Sequence, residues 1–360
     1  MYLEFFQLNE HPFQLTPDSE FLYMSESHSR AKAYMDYTIW NRDGFVVVTG
    51  EIGAGKTTLL QKLLSEFDET VAVAKIYQTQ LDELQFLQAV LVEFGLNPFN
   101  AKKVELMDML STFLIDSFLQ SKQLVLIVDE AQNLGPKVLE EIRMLSGLET
   151  QKEKILHVIL VGQPELNDIL DSPEMEQLLQ RVRLRCHISA LSESDTRDYI
   201  SHRLRVAGAG DRKIFDPDVI PLLYEYTGGI PRLTNVLCDM ALTCAFSEQS
   251  SVVSTASVRT AIEELQWKPY GERLKARARM QKVAGKNREL RHLFEENTKQ
   301  LASLVDGLSR IGDFRPLLGD LVDKMSRIEK SLERLAGRDS SLANPKTAVA
   351  QKRRELKNTK

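Results

Sequence analysis

The stretch from residue 46 to residue 60, VVVTGEIGAGKTTLL, constrains the fold of this chain more than any other. A run of β-branched residues leads into a turn with three glycines, and Lys56 and Thr57 then open a segment that favours a helix. Two glycines that flank four residues and precede Lys and Thr are typical of a loop that binds phosphate groups. Glycine lets backbone N–H groups approach phosphates closely, and the following helix directs its positive end at them. The predicted phosphate-binding residues are Gly50, Gly53, Ala54, Gly55, Lys56, Thr57 and Thr58.

A second part of the predicted site follows another apolar run, LVLIVDE, at residues 124–130. Asp129 is placed to hold Mg²⁺ through water, beside the Thr57 hydroxyl, and Glu130 to polarise an attacking water as a general base. Lys56 would neutralise the β- and γ-phosphates of a nucleotide. Two acids can also simply end a strand and begin a loop. A phosphate loop, however, needs a metal-binding carboxylate, and these acids follow a strongly apolar predicted strand.

Short apolar runs alternate with longer segments of helical period in the first half of the chain. The runs are too apolar for a strand with one face in water, so they predict central parallel strands covered on both sides. The predicted strands are residues 45–49, 71–77, 124–130 and 155–162, and the predicted helices are residues 56–66, 83–94, 104–120 and 137–148. This order predicts an α/β fold with right-handed crossovers.

From about residue 191 the strand signals end and amphipathic helical segments follow, separated by glycine and proline breaks. The predicted helices are residues 193–206, 217–226, 233–247 and 255–265. A chain of 360 residues suits two domains and an extension. We predict a first domain at residues 1–190, which includes an aromatic N-terminal segment, and a small all-helical domain at residues 191–266.

The C-terminal part differs in charge and pattern from the rest of the chain, whose overall net charge is −5. Residues 267–291 carry a net charge of +7 and residues 344–360 one of +5. We predict a basic linker at 267–291, an amphipathic helix or coiled coil at 292–337, and a disordered tail at 338–360. The apolar positions of the coiled coil are Leu301, Leu304, Leu308, Ile311, Leu318, Leu321, Met325, Ile328, Leu332 and Leu335, with an interruption at Pro316. A helix folded back onto the protein's own core is the alternative.

The N-terminus, MYLEFFQLNEHPF, lacks the basic region, the long apolar stretch and the cleavage site of a signal peptide. The longest apolar runs are far shorter than the roughly 20 residues that a membrane-spanning helix needs. We therefore expect a cytoplasmic protein, peripheral to the inner membrane if it meets a membrane at all.

Five segments together resemble the AAA+ ATPases of the secretion-pathway protein A type. They are the phosphate loop, VDEAQNL at 128–134, VGQPEL at 161–166, LLQRVRLRC at 178–186 and GGIPRLTNVLCDMAL at 228–242. The resemblance begins near Tyr2 and extends to about residue 265. Within this group the chain is most similar to ATPases encoded with exosortase and exopolysaccharide systems of Gram-negative bacteria. The resemblance implies Mg²⁺-dependent hydrolysis of ATP by a parallel-sheet core with a small helical lid domain.

The resemblance also implies roles for residues outside the loop. Gln163 matches the polar sensor of the γ-phosphate, and Arg232 matches a second sensor carried by the lid. Arg181 precedes the last strand, where such ATPases supply an arginine finger to a neighbouring subunit, and Arg183 and Arg185 compete for that role. The alternatives are a polar strand end for Gln163, a solvated basic strand edge for the three arginines, and a surface position at a helix start for Arg232. A finger that acts between subunits implies a homo-oligomer.

Three functions remain open at this point. The first is a motor or switch ATPase for an envelope secretion or exopolysaccharide export system, docked to a membrane-bound partner through its C-terminal helix. The second is a DNA-associated regulator like the transposition ATPases, since basic segments attract DNA phosphates and anionic lipids alike. The third is a nucleotide-gated scaffold. Secretion-pathway proteins of this type can continue into a membrane span and a cell-wall-binding domain; this sequence has neither, so direct peptidoglycan contact is not expected.

Overall fold

A computed structural model describes residues 2–41, 44–77, 79–149 and 153–280. The chain divides into two compact units, Met1–Gly271 and Glu272–Lys360. The predicted coiled coil at 292–337 and the predicted tail at 338–360 lie outside the described residues. Of the predicted basic linker, residues 270–280 are helical. Within the described part of the chain, no helix combines the length and the apolar character needed to cross a membrane.

The core of the first unit is a parallel sheet, whose strands in the described residues are β1 Phe45–Gly50, β2 Val71–Ile76, β3 Gln123–Val128, β4 Leu156–Gly162 and β5 Leu184–Ile188. These five strands lie in the order β2-β3-β4-β1-β5. Every residue of β1 and β4 is buried. The predicted α/β fold is confirmed, because both faces of these strands are covered as their apolar sequence requires.

Helices cover the two faces of the sheet. They are α2 Glu26–Trp40, α3 Lys56–Ser65, α4 Glu83–Glu93, α5 Lys103–Leu119, α6 Pro136–Leu145, α7 Glu165–Leu170 and α8 Glu176–Leu179. Neighbouring residues of β1 belong to separate cores: Val47 lies in the core that includes Leu87 of α4, whereas Val46 lies in the core that includes Leu60 of α3. Helix α2 was absent from the sequence prediction.

The helical lid follows the sheet, as predicted, with β5 ending at Ile188 and α9 beginning at Glu193. Its helices are α9 Glu193–Leu204, α10 Ile220–Thr227, α11 Pro231–Ser247 and α12 Thr255–Glu264. The aromatic N-terminal segment, which begins with the short helix α1 Tyr2–Phe5, also belongs to this layer. The prediction grouped that segment with the sheet domain, but Phe6, Phe13 and Phe21 are buried in the core of the lid.

Two arginines fasten the N-terminal segment to the lid. Arg212 donates to the carbonyl oxygen of Phe6 over 2.6 Å. The buried Arg203 donates to the carbonyl oxygen of Pro12, and its guanidinium carbon lies 4.7 Å from the centroid of the Phe21 ring. A buried arginine costs free energy unless its donors are satisfied, so these contacts fix the course of the segment.

Candidate active site

The phosphate loop connects β1 to α3 at the carboxyl edge of the parallel sheet, as the sequence predicts. Lys56 begins α3 and is only 6% exposed. Its Nζ donates to the carbonyl oxygens of Gly50 over 2.7 Å and Glu51 over 3.0 Å. Burial lowers the pKa of Lys56, although the nearby charges of Glu130 and Asp129 oppose that shift. The lysine is therefore held over the loop by two carbonyls that a phosphate oxygen can replace.

Two loop glycines leave room for side chains from other elements. Gly53 and Gly55 both have positive φ angles, of 82° and 97°. A Cβ on Gly53 would lie 2.5 Å from the Cβ of Arg232, and one on Gly55 would lie 2.9 Å from Nε2 of His28. Both positions thus require glycine for backbone conformation and for the close approach of a second element.

The residues predicted to hold Mg²⁺ meet in the structure. Thr57, in the first turn of α3, donates its hydroxyl to Oδ2 of Asp129 over 3.0 Å. Asp129 follows β3 and is 3% exposed, and burial raises its pKa while hydrogen bonds from Thr57 and from the backbone of Glu130 oppose the rise. A hydroxyl and a carboxylate side by side are the hard oxygen ligands that Mg²⁺ prefers, so the residues fit the ion.

Glu130 lies one residue beyond Asp129 with its backbone in the left-handed region, at φ 54° and ψ 38°. This conformation is uncommon outside glycine and separates the direction of its side chain from that of Asp129. Its Oε2 accepts hydrogen bonds from Nε2 of Gln132 over 2.6 Å and from Nε2 of Gln163 over 3.1 Å. Burial acts to raise the pKa of Glu130, but the two amides and the charge of Lys56 lower it overall. The carboxylate is therefore kept ionised, which is the form that a general base requires.

A cavity of about 210 Å³ opens above the phosphate loop. Glu130 and the loop form one wall, residues 14–18 and 21–23 of the N-terminal segment form another, and the lid contributes a third. The lid residues are Leu191, Tyr199, Arg203, Pro231, Arg232 and Asn235. Because lid and N-terminal segment share one core, the two walls opposite the loop belong to one packed layer.

The structure places the predicted arginines in different surroundings. Arg232 lies in the first turn of α11 beside the phosphate loop, and its backbone N–H donates to the carbonyl oxygen of Gly53 over 3.2 Å. Arg181 instead donates to the carbonyl oxygen of Arg143 over 2.6 Å and to Oγ of Ser146 over 2.8 Å. Arg185 pairs with Asp171 at 2.8 Å. Arg232 therefore lies at the site of its own chain, and Arg181 does not.

Strand register shows how far Arg181 is from its own phosphate loop. Leu184 of β5 lies beside Val46 at the start of β1, while Ile188 lies beside Gly50 at the end. Four residues of strand span about 13 Å. Arg181 precedes β5 and so lies at the opposite edge of the sheet from Lys56. Its role as a finger for another subunit stays a prediction.

Comparison with known proteins agrees with this architecture. The sequence model described as "AAA domain" matches residues 40–170. The chain is 40% identical over 267 residues to general secretion pathway protein A of Aeromonas hydrophila, an alignment that covers 74% of this chain and 48% of that protein. The chain thus spans about half the length of the curated relative it matches, and the predicted resemblance to the secretion-pathway protein A type is confirmed.

Solved structures share the fold of this protein at low sequence identity. The ORC2 protein of Aeropyrum pernix, solved as ADPNP–ADP complexes, is 16% identical with a TM-score of 0.54, and the match covers 71% of this chain and 72% of that one. Cdc6p from Pyrobaculum aerophilum is 15% identical with a TM-score of 0.55, covering 70% of each chain. A structure of Drosophila ORC bound to DNA is 16% identical with a TM-score of 0.55, covering 74% of this chain and 66% of that one. At these identities the likeness shows the fold alone.

Sequence reasoning missed His28, which supports the phosphate loop from α2. Its Nε2 lies 3.0 Å from the carbonyl oxygen of Ala54, and its Nδ1 lies 2.7 Å from Oγ of Ser25. A carbonyl oxygen only accepts, so Nε2 carries the proton and donates to Ala54, which leaves Nδ1 to accept from the Ser25 hydroxyl. Burial lowers the pKa of His28, although the bond to Ala54 opposes this. No local sequence pattern could have revealed a contact across 26 residues.

The buried neutral imidazole of His28 predicts a pH-dependent stability. Because its pKa is lower in the folded chain than in the unfolded one, the unfolded chain binds the proton more readily below about pH 6.5. The contribution of His28 is then fully present above that pH and falls by up to about 1.4 kcal/mol per pH unit on acidification. We expect the difference in the free energy of unfolding between wild type and His28→Gln to narrow from pH 7.5 to pH 5.5. The same difference in the free energy of unfolding between the two proteins at pH 7.5 and pH 5.5 would contradict this assignment.

Proposed function

We propose that this protein binds ATP and hydrolyses it with Mg²⁺, and that hydrolysis drives a motor or switch. The convergence of Lys56, the Thr57–Asp129 pair and Glu130 on one cavity carries this proposal. The cavity is lined by polar atoms of the phosphate loop and by apolar side chains that include Leu15, Phe21 and Leu22. Such a mixed lining suits a ligand with a charged phosphate chain and an apolar, planar base.

Each residue has a task that follows from its position. Lys56 and the N-terminus of α3 neutralise the phosphates, and Lys56 exchanges two loop carbonyls for phosphate oxygens as it does so. Thr57 and Asp129 would hold Mg²⁺, which when bound neutralises charge on the β- and γ-phosphates. Glu130 takes a proton from the attacking water. Arg232 brings positive charge from the lid to the loop at Gly53, so closure of the lid is coupled to occupation of the site.

The site is completed, in this proposal, by Arg181 of a neighbouring copy in a homo-oligomer. Arg181 is tied to the C-terminal end of α6, at the sheet edge opposite its own phosphate loop, so the finger has to serve another subunit. Neither Arg181→Ala nor Glu130→Gln protein should hydrolyse Mg-ATP at a useful rate alone. Mixed subunits should recover part of the wild-type phosphate release, because some sites then combine an intact Glu130 with an intact Arg181. No recovery on mixing, with both variants folded and oligomeric, would transfer the role to Arg183 or Arg185 or to an arrangement within one chain.

For the biological process we propose an envelope secretion or exopolysaccharide export system. The 40% identity to general secretion pathway protein A supports secretion, and the local similarity seen in the sequence supports the exopolysaccharide type. Deletion of the gene should reduce secreted protein or surface polysaccharide, and the wild-type gene but not Lys56→Met should restore it. ATP-dependent binding of duplex DNA that weakens steeply with salt would favour the DNA-associated alternative instead.

A further inference from the structure

Gln132 occupies a position between the two strand ends that carry the proposed catalytic groups. Its Nε2 donates to Oε2 of Glu130 over 2.6 Å, and its Oε1 accepts from the backbone N–H of Gln163 over 3.0 Å. Only one orientation of the amide satisfies both contacts, since the reverse would face the carboxylate with an oxygen and the N–H with a donor. Gln132 therefore joins the end of β3 to the end of β4 in a fixed geometry.

The backbone around Gln132 is shaped to admit its side chain. A Cβ on Gly162 would lie 2.8 Å from Oε1 of Gln132, so glycine at the last position of β4 leaves room for the amide. Glu130 takes its left-handed conformation immediately before the short 3₁₀ turn Ala131–Asn133 that carries Gln132. The space left by Gly162 and the left-handed conformation of Glu130 together let the side-chain amide of Gln132 reach the ends of both strands.

The hydrogen bonds divide the two oxygens of the Glu130 carboxylate. Among the described residues, donors from Gln132 and Gln163 reach Oε2, whereas no hydrogen bond to Oε1 is found. Because the Glu130 carboxylate is held through Oε2, its Oε1 is left to receive a proton from a defined direction. Gln163 has two amide hydrogens, one of which is used on Glu130, so the other can contact the γ-phosphate without release of the carboxylate.

We propose that Gln132 is a positioning residue for ATP hydrolysis, which aims the Glu130 carboxylate and transmits the contact between Gln163 and the γ-phosphate to it. This inference rests on the proposed ATPase function. Gln132 touches neither nucleotide nor attacking water in this scheme and acts through Glu130. Its loss should therefore affect turnover rather than ATP binding.

The test is Gln132→Met in the full-length protein, because Met keeps the length of the side chain and removes both polar contacts. We expect kcat to fall about 10- to 100-fold, the cost of a misaimed catalytic group, with KM and the Kd for ATP within about twofold of wild type. Gln123→Met is the matched control, since Gln123 begins β3, at the other end of the strand from Gln132, and its Oε1 lies 3.2 Å from Nε2 of His157. That variant should keep the wild-type kcat. Gln132→Glu, which retains the acceptor for Gln163 but loses the donor to Glu130, should lose turnover too and serves if the Met variant does not fold.

A second comparison separates positioning from packing. In a Glu130→Gln background, adding Gln132→Met should reduce the residual rate by no more than about twofold, because the residue through which Gln132 acts is already disabled. An unchanged or raised kcat in the single variants, or an equal loss in both backgrounds, would overturn the inference. Wild-type protein that releases no phosphate from Mg-ATP would overturn the proposed function and the inference with it. A normal rate in Gln132→Met beside an active wild type would overturn the inference alone.

Discussion

Replacing Glu130 with Gln is expected to slow ATP hydrolysis by about 100- to 10,000-fold, the range for loss of a general base, while ATP still binds. The amide keeps the size of the carboxylate and its place at the end of β3, but it cannot take a proton from water. Lys56, Thr57 and Asp129 are untouched, so affinity for Mg-ATP should stay within a few-fold of wild type. Phosphate release and titration with a fluorescent ATP analogue measure the two quantities separately.

Glu69→Gln is the matched control for this substitution, because Glu69 is an exposed residue outside the cavity and loses the same charge. If the kcat of the Glu130→Gln variant is within tenfold of the wild-type value, Glu130 is not the general base. Tight ATP binding with no hydrolysis by the wild type itself would point to the nucleotide-gated scaffold. The outcome therefore discriminates between an ATPase that works by hydrolysis and a nucleotide-gated scaffold.

Replacing Lys56 with Met is expected to weaken ATP binding by about 10- to 100-fold and to abolish measurable hydrolysis. A hydrogen bond to a charged group contributes about 1.5–3 kcal/mol, and each 1.4 kcal/mol is a factor of ten in affinity. Lys56 makes its contacts from a buried position, where charge is weakly screened by solvent. Thermal unfolding provides the measurement: ATP at 100 times its wild-type Kd stabilises the wild type by about 2.7 kcal/mol, and the same ATP concentration should stabilise the variant by only about 0.4–1.4 kcal/mol.

Lys62→Met controls for the loss of a lysine from the same helix. Lys62 lies in the last turn of α3 and its Nζ is 3.6 Å from Glu66, a surface pair of small energetic value. This variant should bind and hydrolyse ATP like wild type. ATP-dependent stabilisation that survives in Lys56→Met would place the nucleotide elsewhere than on the phosphate loop.

The parts of the fold predictable from sequence were those set by neighbouring residues. Unbroken apolar runs predict strands such as β3 and β4. The spacing of the glycines, followed by Lys56, predicts the phosphate loop. Asp129 and Glu130 were found because they end an apolar strand. In each case the residues that determine the structure lie within one short segment, so their pattern can be read without knowing the fold.

The parts that escaped prediction depend on residues far apart in the chain. His28 supports the loop 26 residues later, and Arg203 binds the carbonyl of Pro12 from 191 residues away. The aromatic residues of the N-terminal segment look like core residues of any domain, and only the fold shows that their core is the lid. Gln132 lies inside the segment VDEAQNL, but its hydrogen bond with Gln163 requires β3 and β4 to be neighbours in the sheet.

Phe6, Phe13 and Phe21 are synthesised before the sheet and the lid, yet they pack against helices made roughly 200 residues later. At about 5 to 20 residues per second, about 10 to 50 s pass before their partners exist. During that interval the aromatic side chains are accessible to chaperones and to other nascent chains. The sheet and the phosphate loop can form in the meantime, whereas two walls of the cavity wait for α12. The nucleotide pocket is therefore the last part of this unit to be completed on the ribosome.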